Sequence, residues 1–165
     1  MPLRTILRYP DPRLRDVASA VEDFDDRLRE LAKDLLDTMR AAPGVGITAP
    51  HVGVALRLAV IELPDGPGPR FYVNPELVEI SQETMRHDEG SVSMPGVIEE
   101  IERPSRIRLR YRDLDGAEHE ETAEGFLAIC LQHEVDQLDG IFWIARLSRL
   151  KRERVIKRYE KLTRR

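Results

Sequence analysis

One helix constrains every arrangement open to this chain. Residues 124–138 carry Leu127, Cys130, Leu131 and Val135 on faces that run nearly all round the axis, and Asp139-Gly140 ends the stretch. A helix apolar on all sides has no surface to show to water, so the remaining elements must wrap it. Its polar residues are then buried residues. His133 and Gln137 fall one turn apart on one face, with Glu134 beside them. This is the frame of H-E-x-x-H, in which two histidines hold a divalent metal and the glutamate is the general base. A glutamine stands where the second histidine would be.

The wrapping elements are legible in the rest of the chain. Leu28, Leu31, Leu35, Leu36 and Met39 recur at helical spacing, Asp25 or Asp26 can cap, and Pro43-Gly44 stops a helix over residues 25–41. Residues 56–63 read as a buried strand, and shorter strands are expected at 70–73, 77–80 and 97–101. Residues 106–112 alternate, with Ile107, Leu109 and Tyr111 on one face and Arg106, Arg108, Arg110 and Arg112 on the other. The Asp113-Leu114-Asp115-Gly116 turn folds them onto a strand at about 117–122. Solvation of an antiparallel sheet face explains the arginine row. The segment up to about Ser19, broken by Pro2, Pro10 and Pro12, is expected to be irregular. Residues 88–96 and the glycine-spaced residues 44–53 read as loops, and Ser148 caps a last helix over 148–162. The expected class is α+β, antiparallel sheets around a central buried helix, in a single domain over 1–165.

Charge divides the chain. Residues 146–165 carry a net +8, and the other 145 residues carry −12. An acidic body repels polyanions, while a basic tail suits an RNA surface; a solvated basic helix explains the same tail. No apolar run approaches a membrane span and no signal-peptide core opens the chain. The single cysteine, Cys130, excludes an internal disulfide and fits a reducing compartment. A cytoplasmic protein with neither DNA nor membrane as partner is expected.

Three stretches in register resemble the peptide deformylase family, and the resemblance covers nearly the whole chain. Gly44-Val45-Gly46-Ile47-Thr48-Ala49-Pro50-His51 resembles the family's G-x-G-L-A-A-P-Q, Glu89-Gly90-Ser91-Val92-Ser93 its E-G-C-L-S, and His133 through Gly140 its H-E-x-D-H-L-D-G. The resemblance implies an antiparallel fold around the metal-binding helix and removal of the formyl group from N-terminal formyl-methionine of new bacterial proteins. In that chemistry a cysteine and two histidines hold Fe²⁺ or a substitute, and the glutamate moves the proton of the bound water. The glutamine of the first motif and the backbone N–H after the cysteine stabilise the oxyanion. Carried over, Glu134 keeps the general-base position and His133 one ligand position. Val92 keeps the backbone donor and Gly46 the backbone edge where a peptide would lie. Val45, Phe126, Ile129 and Cys130 match the walls of the methionine pocket.

Three departures fall at the reaction centre: Ser91 for the cysteine, Gln137 for the second histidine and His51 for the glutamine. A neutral hydroxyl and a neutral amide are far poorer donors to a transition metal than thiolate and imidazole. No tightly bound cofactor is therefore expected; any Fe²⁺, Zn²⁺ or Ni²⁺ would bind weakly. The expected reading is a homologue with a degenerate metal site and lost or strongly reduced deformylation. It would bind peptide N-termini, at the ribosome through residues 149–165. The alternative is an active deformylase with a rebuilt metal site using His51 and His133. Two further arrangements stay open: a polar cluster in which His133 hydrogen-bonds Ser91 and Gln137 with Glu134 as charge partner, and a Ser91 nucleophile with His133 as base. Cys130 reads as a core thiol rather than a ligand.

Overall fold

In the computed structural model, which describes residues 3–164, nine other helices and strands surround the expected helix. Helix α1 spans Asp26–Ala41, and Asp25 caps it by accepting from the Leu28 N–H at 3.1 Å. Strands β1 (Gly46–Thr48), β2 (Leu58–Ile61) and β3 (Arg70–Ile80) follow. A hairpin of β4 (Thr84–Glu89) and β5 (Glu99–Pro104) precedes β6 (Arg106–Arg112) and β7 (Glu118–Glu124). Helix α2 spans Gly125–Leu138 and α3 spans Arg149–Thr163.

The strands form an antiparallel sheet in the order β1-β2-β3-β6-β7 and a separate β4-β5 ribbon. Helix α2 packs against strands of both, and from Ala128 to Leu138 every side chain is buried. The all-round apolar pattern thus has its expected consequence. Ala59, Tyr72, Ile107 and Leu109 close over Leu131, Val135 and Leu138 on one side, while Leu31, Leu35 and Met39 of α1 cover the opposite face of β2 with Ile47 and Val60.

The structure departs from the expected elements in several places. The glycine-spaced residues 44–53, read as a loop, hold strand β1 and a 3-10 turn at Ala49–Val52. Residues 70–73 and 77–80 belong to one strand, β3, interrupted by a register shift between Val73 and Glu76. Asn74 takes φ 51° there, and its side-chain amide pairs with both backbone groups of Val21. β4 had no expected counterpart, because Thr84-Met85-Arg86-His87-Asp88-Glu89 is polar on both faces. Its partner β5 begins at Glu99 and runs to Pro104, later than residues 97–101, because Arg103 is a buried residue of that strand.

The arginine row of β6 is solvated, and two of its four members are paired: Arg108 bridges Glu79 and Glu120, and Arg112 meets Glu118. The opening segment is largely irregular, with a single 3-10 turn at Pro12–Arg15. It ties two site loops together, since Leu7 N–H donates to the His51 carbonyl and Tyr9 N–H to that of Ser93.

Candidate functional site

Three pieces of chain meet at α2. Edge strand β1 and the 3-10 turn after it (Ala49–Val52) deliver Gly46 and His51, and the loop after β4 delivers Ser91 and Val92. With His133 and Glu134 of α2 they line one cleft of about 530 Å³, walled by Val45, Phe126, Ile129 and Cys130. β1 pairs with β2 on one side only, so its other edge faces this cleft. Gly46 is needed at that edge: a Cβ there would lie 2.6 Å from Glu134 Oε2. Of the residues singled out from the sequence, only Gln137 stands apart. It is buried under the turn at Pro12–Arg15, where its amide donates to the Leu14 carbonyl at 2.7 Å.

The expected polar cluster joining His133 to Ser91 and Gln137 does not form. His133 Nδ1 lies 2.7 Å from Glu89 Oε1, and Ser91 Oγ accepts from the Ser93 N–H at 3.1 Å. Glu134, the expected charge partner, is 4.0 Å from His133 Nε2 and its Oε1 has no partner. Behind Glu89 runs a chain of ions invisible in the motifs. Arg103 holds both Glu89 oxygens and reaches Asp136 at 2.9 Å, and Asp136 accepts two hydrogen bonds from Arg146. The signal for Arg103 was the alternation of β5, where it shares a face with buried Ile101.

Burial and charge set the titration of the site. Burial pushes Glu134 up to about 7, against the opposing pull of His133. Burial alone would raise Glu89 as well, but hydrogen bonds from His133 and Arg103 overcome it and hold it near 2. Burial works against a charged His133, yet the Glu134 and Glu89 carboxylates outweigh it and raise the imidazole. His51 is driven down to about 3 by burial and by the neighbouring His133, so it is neutral at physiological pH. Burial raises the Cys130 thiol, which keeps it protonated.

His51, His133 and Glu134 each bring one nitrogen or oxygen to within 4.8 Å of the others. Thr48 fixes His51 from behind: its backbone N–H donates to Nδ1 at 2.9 Å, and its hydroxyl lies 2.9 Å from the same atom. His51 Nε2 is buried without a partner.

The family model for polypeptide deformylase matches residues 3–153. A "Peptide deformylase-like" protein of Brucella melitensis is 64% identical over 164 residues, covering 99% of this chain and 100% of that protein. A "Peptide deformylase" of Phenylobacterium zucineum is 46% identical over 164 residues, covering 98% and 97%. Among solved structures, a peptide deformylase from Legionella pneumophila superposes with a TM-score of 0.92 at 40% identity, covering 99% of this chain and 96% of that one. One from Ehrlichia chaffeensis in complex with actinonin gives a TM-score of 0.92 at 38% identity and covers both chains fully. With the fold, the cleft and three motifs in one arrangement, the chain belongs to the polypeptide deformylase family.

Proposed function

We propose that this chain is a deformylase-fold protein that takes up peptide N-termini in the retained cleft and has lost, or nearly lost, metal-dependent removal of the formyl group. The observation carrying this reading is the donor set at the family's three ligand positions: a hydroxyl, one imidazole and a neutral amide. Gln137, at the second helical ligand position, donates its amide nitrogen to the Leu14 carbonyl, and its Oε1, buried without a hydrogen-bond partner, is a far weaker donor to a transition metal than imidazole. Ser91, at the thiolate's position, is a neutral hydroxyl tied to the Ser93 N–H. Of the family's three ligand positions only His133 offers a good donor. The residues present therefore do not fit Fe²⁺, Zn²⁺ or Ni²⁺, whose chemistry in the family is to lower the pKa of bound water from about 15.7 toward 7. What the chain supplies is a peptide edge on β1, an apolar pocket formed by Val45, Phe126, Ile129 and Cys130, and the polar atoms of His51, His133 and Glu134 at the pocket's inner end.

Metal content and turnover test this reading together. Protein purified without oxygen is expected to hold under about a tenth of an equivalent of iron, zinc or nickel. Hydrolysis of a formyl-methionyl peptide is expected more than about a hundredfold below that of the Ser91→Cys/Gln137→His double variant, since replacing direct ligands exceeds the 10–100-fold loss known for their supporting partners. Stoichiometric metal with full turnover in the unaltered chain would refute it.

The convergence of His51, His133 and Glu134 favours a second reading, a metal centre rebuilt on those residues. Metal–ligand bonds of about 2.0–2.2 Å put neighbouring donors roughly 3.5 Å apart. The 4.0 Å between His133 Nε2 and Glu134 Oε2 is wider.

A further inference from the structure

The mouth of the cleft carries a charge that no other group in the protein uses. Residues 6–9 form one wall there, and backbone hydrogen bonds pin them. Leu7 N–H donates to the His51 carbonyl at 2.7 Å and Tyr9 N–H to that of Ser93 at 2.8 Å, while the Arg8 carbonyl accepts from the Asp11 N–H at 2.9 Å. Side chains of the segment alternate: Leu7 and Tyr9 pack on the cluster around Trp143, whereas Ile6 and Arg8 line the cleft. The Arg8 side chain thus leaves a fixed point of the wall.

Arg8 is exposed, and among the described residues no carboxylate lies within 4.0 Å of it. Two acids that could have served are engaged elsewhere. Asp11 is held by Arg13 at 2.8 Å, and Glu89 by Arg103 and His133. Asp88, exposed at the end of β4, lines the same cleft and likewise has no cation within 4.0 Å among the described residues. The mouth therefore presents two separate, uncompensated charges of opposite sign, with Ile6 and Ile98 as apolar lining beside them.

We infer that Arg8 is a specificity residue, which selects peptide N-termini that carry an acidic side chain just after the pocketed first residue. The inference rests on the peptide-binding reading above and adds which sequences are taken up. A peptide paired with the free edge of β1 is extended, so its successive side chains point to opposite faces. With the first side chain in the apolar pocket, the next two pass the mouth on opposite sides. An aspartate facing Arg8 gains an ion pair, and at an exposed site such a pair is worth up to about fivefold in affinity. Asp88 repels an acid on its own wall, so only one of the two positions should profit.

The test uses the whole chain and C-terminally amidated peptides, in which aspartate supplies the only carboxylate. N-formyl-Met-Asp-Ala and N-formyl-Met-Ala-Asp are titrated by calorimetry beside their asparagine counterparts. One of the two aspartate peptides is expected to bind about fivefold tighter than its counterpart. That gap should close in 1 M salt, where charges are screened within about 3 Å. Arg8→Gln should erase the gap and Arg8→Lys keep much of it, both with a melting temperature within a few degrees of the unaltered chain, because Arg8 is exposed. Equal affinities within both pairs would overturn the selection while leaving peptide binding standing. A preference that survives Arg8→Gln would take the role away from Arg8. Binding of none of the four peptides would remove the peptide-binding reading and this selection with it.

Discussion

Glu134 is 4% exposed, and its carboxyl is raised to about 7 by burial, whereas an unfolded glutamate titrates near 4.5. Between those values the folded protein holds a proton that the unfolded chain has released. Stability therefore falls as pH climbs from about 4.5 to 7 and levels off above, by up to roughly 3 kcal/mol. Glu89 works in the opposite sense. Held near 2, it stabilises above about 4.5, and that contribution is lost as pH falls through 2. Urea unfolding at a series of pH values should thus show Glu134→Gln flattening the slope between pH 4.5 and 7 relative to the unaltered chain. A slope that Glu134→Gln leaves untouched would place the titration elsewhere. Glu134 and His133 could be named from the helical motif alone, because spacing along one helix fixes which residues share a face. The partners of His133 could not. Hydrogen bonding selects Glu89, two residues before the serine that occupies the ligand position, and Gln137 answers to Leu14, 123 residues away in sequence.

At the scale of elements, a buried ion chain joins the β4-β5 ribbon to α2. Arg103 of β5 is 4% exposed, grips Glu89 at the end of β4, and reaches Asp136 of α2, which Arg146 also holds. Removing the central cation leaves Glu89 with His133 alone and Asp136 with Arg146 alone. Arg103→Met is expected to cost about 3–5 kcal/mol in urea unfolding. Adding Glu89→Gln should cost much less than the two single changes summed, because both act on one network. Full additivity would mean that the two residues are energetically separate. Sequence reasoning found α1, α2, α3 and β6 within a residue or two, since each announces itself by period and cap. It failed on β4, whose polar faces carry no period. It also ended β5 too early, at residue 101, because the last apolar residue of that face is Ile101 and the next position on it, Arg103, is charged although buried.

Over the whole molecule, the basic C-terminal segment is less available than its composition suggests. Val155 and Tyr159 of α3 are buried against Trp143, Phe142 and Met94, so α3 is part of the core and its deletion would expose that cluster. Several of its cations are already engaged: Arg146 with Asp136, Arg149 with Glu153, Lys151 with the Glu100 carbonyl, Arg152 with the Ile144 and Leu147 carbonyls, and Arg158 with Glu99. Among the described residues of the segment, Arg154, Lys157, Lys161 and Arg164 have no acidic partner within 4.0 Å, and all four are exposed. Docking on ribosomal RNA, proposed from the +8 of residues 146–165, thus rests on about four phosphate contacts. Four contacts predict a slope of log affinity against log salt of about −3 to −4. Ribosome pelleting across a salt series should give that slope. Replacing Arg154, Lys157 and Lys161 by glutamine should shallow it by about one for each contact removed while leaving the melting temperature within a few degrees, because none of the three is buried. Pelleting with a full slope in the triple variant would move the contact off this helix.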